Sequence, residues 1–251
     1  RRQRQMCIRD SEQAVEQIKG KEGTTLKLTV RRGGVDQDYE LVRRTIQVKT
    51  ASGEMLEGKI GYIRISGFKE STVEQFNEAL QNLLNDGAVA LVFDVRGNHG
   101  GLVTSVGECL DPLLPEGDVA FATYRDGREE VLIRSDAKEL NLPMAVLVDG
   151  DTASAAELFA SALRDFEKAK LYGVTTYGKG VMQNTISLDD GGGLTITVAT
   201  YRTARSVCYQ GIGLIPDETV ELPEDAPALD ERSHDADPQL QKALTALQGG
   251  A

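Results

Sequence analysis

The chain has 251 residues, 40% of them hydrophobic, with no tryptophan and a formal net charge of −11. That length suits one large domain or one domain plus a small module, with a core built from Val, Ile, Leu and Ala. The charge argues against a nucleic-acid partner, which needs a basic face. No apolar run approaches the ~18 residues of a membrane span. Cys7, Cys109 and Cys208 lack any short spacing, and the two histidines are His99 and His234; neither a disulfide framework nor a metal site is indicated.

Residues 1–8 (RRQRQMCI) are basic and unpatterned, like translated adapter sequence, and are expected to be non-native or disordered. Asp10 with Gln13 three residues later forms a capping-box pattern, and Ala14, Val15 and Ile18 share one helix face. Gly20 stops that helix. Thr24–Arg32 alternates as a strand, Gly33 and Gly34 mark a turn, and Tyr39–Val48 is expected to be a second strand. This helix, the KEGT turn and the alternating strand resemble the closing half of a PDZ domain (residues 9–49), with the earlier half absent.

Thr50–Gly58 is polar, contains two glycines, and is expected to be a linker. Lys59–Ile65 is a predicted strand and Ser71–Asn85 an amphipathic helix with Val73, Phe76, Leu80, Leu83 and Leu84 on one side. Val89–Asp94 and Met144–Val148 are nearly all apolar, as strands buried on both faces are. A helix is predicted over Ala155–Lys168, and Thr185–Leu188 with Leu194–Thr200 form a hairpin. Strands alternating with helices argue an α/β layered core over 58–220. From Asp217 onward there are nine acidic residues against Arg232 and Lys242. The stretch 221–251 is therefore expected to be a solvated acidic tail with one short helix, Pro238–Leu247.

Three segments carry the chemistry. In VLVDGDTASAA (146–156) a buried strand ends and small residues open a helix, so Ser154 sits near a helix N-terminus, where free N–H groups favour a developing negative charge. There it is a candidate nucleophile, with the Ala155 N–H as half an oxyanion hole; the same pattern also fits a plain N-cap at Thr152 or Ser154. In VTTYGKGVMQ (174–183), Lys179 lies between two glycines. It is a candidate base if desolvation brings it to a pKa of ~7–8, or else a phosphate-loop or surface-turn lysine. In FDVRGNHGGL (93–102) a strand runs into a glycine-rich turn, where the N–H of Gly100 or Gly101 could complete an oxyanion hole.

DVRGNHGG, DGDTASAAE and TYGKGVMQ, in that order, with YRTARSVCYQGIGLIPD (201–217) following, resemble the motifs of the carboxy-terminal processing (tail-specific) peptidases. The resemblance covers roughly residues 10–247. It implies a crotonase-like or ClpP-like layered α/β core and a serine endopeptidase with a Ser-Lys dyad. Ser154 would be nucleophile, Lys179 general base and Gln183 the support of the lysine, with oxyanion donors from Ala155 and from Gly100 or Gly101. It further implies no cofactor, protein substrates presented by their C-terminal tails, and an extracytoplasmic setting, although no secretory leader pattern is visible in the chain. Self-association or an adaptor protein is left open.

The chain also departs from the family pattern. His99 replaces a usual proline, so its loop is expected to be more flexible. Asp149 and Asp151 stand where asparagine or serine is commoner, and are expected to hold Lys179 protonated. Leu214 replaces isoleucine or valine, and Ala204 and Ser206 replace proline and glycine. Two rivals are a non-catalytic scaffold of the same fold and a crotonase-like acyl-CoA enzyme.

Overall fold

A computed structural model describes residues 15–45, 48–136, 138–187 and 192–249. The chain divides into two compact units, Arg1–Val48 and Lys49–Ala251. Asp10, Gln13 and Ala14, like Cys7 and Leu188, lie outside the described residues.

In the first unit a helical turn over 15–18 leads into the hairpin of β1 (Thr25–Arg32) and β2 (Val35–Val42). Arg32 pairs directly with Val35. The two-residue turn places Gly33 and Gly34 at φ 60° and 81°, the left-handed pair a tight hairpin demands. The second strand thus starts and stops earlier than the expected Tyr39–Val48, because its register is set by that turn. Arg43 ties the hairpin to the helical turn, donating from Nε to the Ile18 carbonyl at 2.7 Å and from Nη2 to that of Gln17 at 3.1 Å.

The second unit is built on a six-stranded sheet ordered β12-β9-β8-β5-β4-β3. Its members are β3 (Ala51–Leu56), β4 (Ile60–Ile65), β5 (Ala90–Asp94), β8 (Met144–Val148), β9 (Ala169–Gly173) and β12 (Glu218–Thr219). All pairs are parallel except β3 with β4. Residues 51–56, expected as linker, are an edge strand. Gly53 suits it because a Cβ there would lie 3.0 Å from that of Ala79. The strands follow one another across the sheet in chain order, so right-handed crossovers place α1 (Glu70–Asn85), α2 (Val103–Leu110) and α3 (Ala155–Asp165) on one face.

A second sheet, β10-β11-β6-β7, covers the other side of this helical layer. It comprises β6 (Gly117–Tyr124), β7 (Glu129–Ser135), β10 (Val181–Ser187) and β11 (Gly193–Thr203). Helix α3 is caught between the two sheets and is buried nearly throughout, with its buried polar side chains Glu157, Ser161 and Asp165 each hydrogen-bonded. It ends at Asp165 rather than Lys168: Glu167 turns left-handed at φ 59°, and the Lys168 N–H donates back to the Leu163 carbonyl at 2.9 Å, a Schellman-type stop.

One-way winding leaves the opposite face of the large sheet without a helix from the crossovers. Tyr62, Val92, Ala145, Leu147 and Tyr172 point there, and α4 (Pro238–Gly249) covers them with Leu240 and Ala243, both fully buried. The helix of the C-terminal stretch therefore joins the core, while Glu221, Glu224, Asp225, Asp230, Glu231 and Asp235 ahead of it are exposed. The charge of the stretch is neutralised where it meets the sheet: Arg96, 2% exposed, bridges Asp94 at 2.6 Å and Asp237 at 2.8 Å and donates to Gln239 Oε1 at 2.8 Å. Burial opposes the Arg96 charge, but hydrogen bonds and attraction from Asp94 and Asp237 outweigh it and hold its pKa above the ordinary value.

Candidate active site

The adjacent parallel strands β5, β8 and β9 deliver their C-terminal ends to one edge of the sheet, where α/β proteins place their sites. The loops that leave them are 95–102, 149–154 and 174–180, which hold the three sequence motifs.

Ser154 is the N-cap of α3 at φ 57°, ψ −120°. A side-chain-bearing residue is strained there, and such strain persists where surrounding structure over-determines it, often at functional sites. What over-determines it is Glu157, three residues on and fully buried. Its Oε2 accepts the N–H of Ser154 at 2.8 Å and that of Lys179 at 2.9 Å. Its Oε1 accepts the Gly178 N–H at 2.7 Å and the Thr176 hydroxyl. One carboxylate thus fixes the backbones of Ser154 and Lys179 to each other. Its place at the third helical position after a serine is the capping-box spacing, a signal the sequence carried but that had not been assigned to the site.

Lys179 is half-buried. Its carbonyl accepts the Tyr201 hydroxyl at 2.7 Å, and the same hydroxyl lies 3.2 Å from Ser154 Oγ. Gly180 is held by its N–H to Gln210 Oε1 at 2.8 Å. Gln183 lies on β10 just after a register shift between Met182 and Gln183 and is exposed.

The glycine loop is pressed against the nucleophile. Gly100 has φ 99°, and a Cβ there would come within 2.8 Å of both the Ala153 carbonyl and the Ala155 nitrogen. Gly101 has φ 146° and would drive a Cβ into the Phe68 carbonyl. Only glycine meets both demands. The Gly100 N–H already donates to Asn98 Oδ1 at 2.8 Å, while Asn98 Nδ2 donates to the Ile65 carbonyl at 2.9 Å. The Ala153 N–H donates to the Asn98 carbonyl at 2.9 Å, joining this loop to the serine loop.

Asp149 completes the junction. Both its oxygens accept the Gly97 N–H at 3.0 Å. Oδ1 also accepts the N–H of Asp151 at 3.1 Å and of Thr152 at 2.8 Å, and the Thr152 hydroxyl at 3.0 Å. These donors engage the carboxylate of Asp149, one of the two expected near Lys179. The loop carrying His99, expected to be looser without proline, is tied down on both sides of that residue; His99 itself is exposed. Among the described residues, no group of three or more His, Cys, Asp or Glu could hold a metal ion.

A strained serine at a helix N-terminus, a lysine on the neighbouring loop and a glycine loop over the serine thus come together at one edge of the layered α/β core. The profile of peptidase family S41 matches residues 59–220, and the chain belongs to that family. It is 33% identical over 245 residues to the carboxyl-terminal-processing protease of Synechocystis, covering 95% of this chain and 57% of that protein. It is 36% identical over 214 residues to the carboxy-terminal processing protease CtpA of Bacillus subtilis, covering 84% of this chain and 46% of that one. The chain thus spans about half the length of these curated relatives. Among solved structures, the photosystem II D1 C-terminal processing protease superposes with a TM-score of 0.63 at 27% identity, covering 80% of this chain and 57% of that one. The α/β core expected from the sequence is borne out. No described helix is long and apolar enough to cross a membrane.

Proposed function

We propose that this protein hydrolyses peptide bonds by acyl transfer, with Ser154 as nucleophile and Lys179 as general base. The observation that carries the reading is the shared carboxylate: Glu157 takes the N–H of both Ser154 and Lys179, holding the two candidate reactive residues on one rigid anchor. Lys179 takes the Ser154 proton, Oγ attacks the scissile carbonyl, and Lys179 returns the proton to the leaving amine. Water then releases the acyl group by the same route.

The oxyanion donors are the N–H groups of Ala155 and Gly101. Gly101 is preferred to Gly100 because the Gly100 N–H is already given to Asn98. Each such donor is worth about 3 kcal/mol in the transition state. Gln183, close after the lysine loop, supports Lys179 once substrate excludes water from β10.

The names of the relatives, carboxy-terminal processing proteases, extend the reading to protein substrates engaged by their C-terminal tails; the extracytoplasmic setting is carried by the motif resemblance and not by those names. Residues 9–49 would supply part of a PDZ module that pairs with a tail as an added strand.

The test is cleavage of an unstructured protein with an apolar C-terminus by the wild type, Ser154→Ala and Lys179→Ala. Wild-type cleavage, with both variants folded and down by about 10³-fold or more, is the expected result. A folded Ser154→Ala that still cuts would overturn the assignment. A wild type that binds the tail without cutting would point to a scaffold.

A further inference from the structure

The hydroxyl closest to the candidate nucleophile belongs to a residue that neither the base nor the oxyanion donors account for. Tyr201 lies on β11, paired with Ala122 of β6, and is 3% exposed. Its ring stands edge-on to that of Tyr209, with centroids 5.8 Å apart at 80°. Its N–H donates to the Gly180 carbonyl at 3.0 Å, and its hydroxyl donates to the Lys179 carbonyl at 2.7 Å while lying 3.2 Å from Ser154 Oγ.

A phenol has one proton, and a carbonyl only accepts. At rest the Tyr201 proton therefore serves Lys179, and the Ser154 hydroxyl is left to donate to the Tyr201 oxygen. We propose that Tyr201 is a third catalytic side chain: its oxygen sets the Ser154 rotamer before attack, and its O–H then donates to Oγ while that atom carries negative charge. The inference rests on the assignment of Ser154 as nucleophile.

The step involves no new bond. Ser154 gives its proton to Lys179, and Tyr201 rotates its own from the Lys179 carbonyl towards Oγ, keeping it throughout. Burial supports this role, since it pushes the Tyr201 phenol up to about 12; the group stays a donor across the neutral range and does not compete with Lys179 as base.

Tyr201→Phe removes the hydroxyl and keeps the ring against Tyr209. Rates are taken per folded molecule, with folding followed by circular dichroism. The expected result is a fall in kcat of about 10- to 100-fold with KM within about twofold, and a matching fall in the rate at which a fluorophosphonate labels Ser154. Tyr209→Phe, which removes the hydroxyl facing Tyr201 but leaves the Tyr201 O–H itself in place, is expected to cost clearly less than Tyr201→Phe. Ser154→Ala serves as the separate control and must abolish both cleavage and labelling; if it does not, the nucleophile assignment fails. If it does, and Tyr201→Phe labels and cuts at the wild-type rate, the role of Tyr201 is refuted. Equal losses in Tyr201→Phe and Tyr209→Phe would refute it too, by showing that the Tyr201 O–H contributes nothing of its own at Oγ.

Discussion

Two buried carboxylate clusters flank the segment 94–101, and they are built in opposite ways. On the catalytic side, Glu157 receives three backbone N–H groups and one hydroxyl, all uncharged. On the other face of the sheet, Asp94 receives the Tyr62 hydroxyl at 2.6 Å and the guanidinium of Arg96, which passes on to Asp237 of the C-terminal segment. Backbone donors fix main-chain positions, and that is what a strained serine and an oxyanion loop require. A long cation joins points 141 residues apart in sequence, as the seating of a tail helix requires. Chemistry here is held by dipoles, and architecture by an ion pair.

The sharpest way to break this contrast is on the charged side. Arg96→Met keeps much of the volume but removes the cation that Asp94 and Asp237 share, leaving Arg64 at 3.3 Å from Asp94 and Arg232 at 3.6 Å from Asp237. Removing one partner of a buried pair costs about 3–5 kcal/mol; with these two cations remaining, urea unfolding should report a loss towards the lower end of that range. Hydrogen exchange should show α4 opening first. A stability change under about 1 kcal/mol would mean that α4 is held by Leu240 and Ala243 alone.

A smaller effect on stability, with a larger one on rate, is expected on the uncharged side. In Glu157→Gln, whichever way the amide sits, its NH₂ faces donors that formerly met an oxygen. The cost is about 2–3 kcal/mol, and relaxation of Ser154 relative to Lys179 should lower kcat by about 10²-fold. If stability falls while kcat in the folded fraction stays at wild type, Glu157 would be a helix cap and nothing more.

These clusters also mark where reading the sequence succeeds and where it stops. Helix α1 and strands β5 and β8 are legible because amphipathic period and unbroken apolar runs are local properties. The three motif loops are legible because they occur together and in order at strand ends; each alone also fits an ordinary cap or turn. β3 is not: ASGEML looks like linker because an edge strand is covered on one side only, and Gly53 is required by Ala79, which is distant in sequence. The solvated acidic stretch and its short helix are legible from composition and period, but the seating of that helix is not, because the partner of Asp237, Arg96, is distant in sequence. Tyr201 lay within a recognised motif, yet nothing in the sequence says that its hydroxyl turns back to Ser154.

Asp149 tests the contrast most finely, because it joins the glycine loop to the serine loop without touching Glu157's donors. Asp149→Ala frees the exposed Gly97 N–H, where water can replace the lost acceptor, while the buried Thr152 N–H keeps the Asp149 backbone carbonyl at 3.1 Å. The stability cost is therefore about 1 kcal/mol, while loosening of Gly100 and Gly101 over Ser154 should lower kcat by about tenfold or more with KM little changed. Asp149→Asn should recover most of the rate, because Oδ1 can still accept from Gly97, Asp151 and Thr152 even though Nδ2 stands where Oδ2 also accepted from Gly97. An asparagine variant as slow as the alanine one would show that the negative charge is what matters, and would return Asp149 to an electrostatic role on the neighbouring lysine loop.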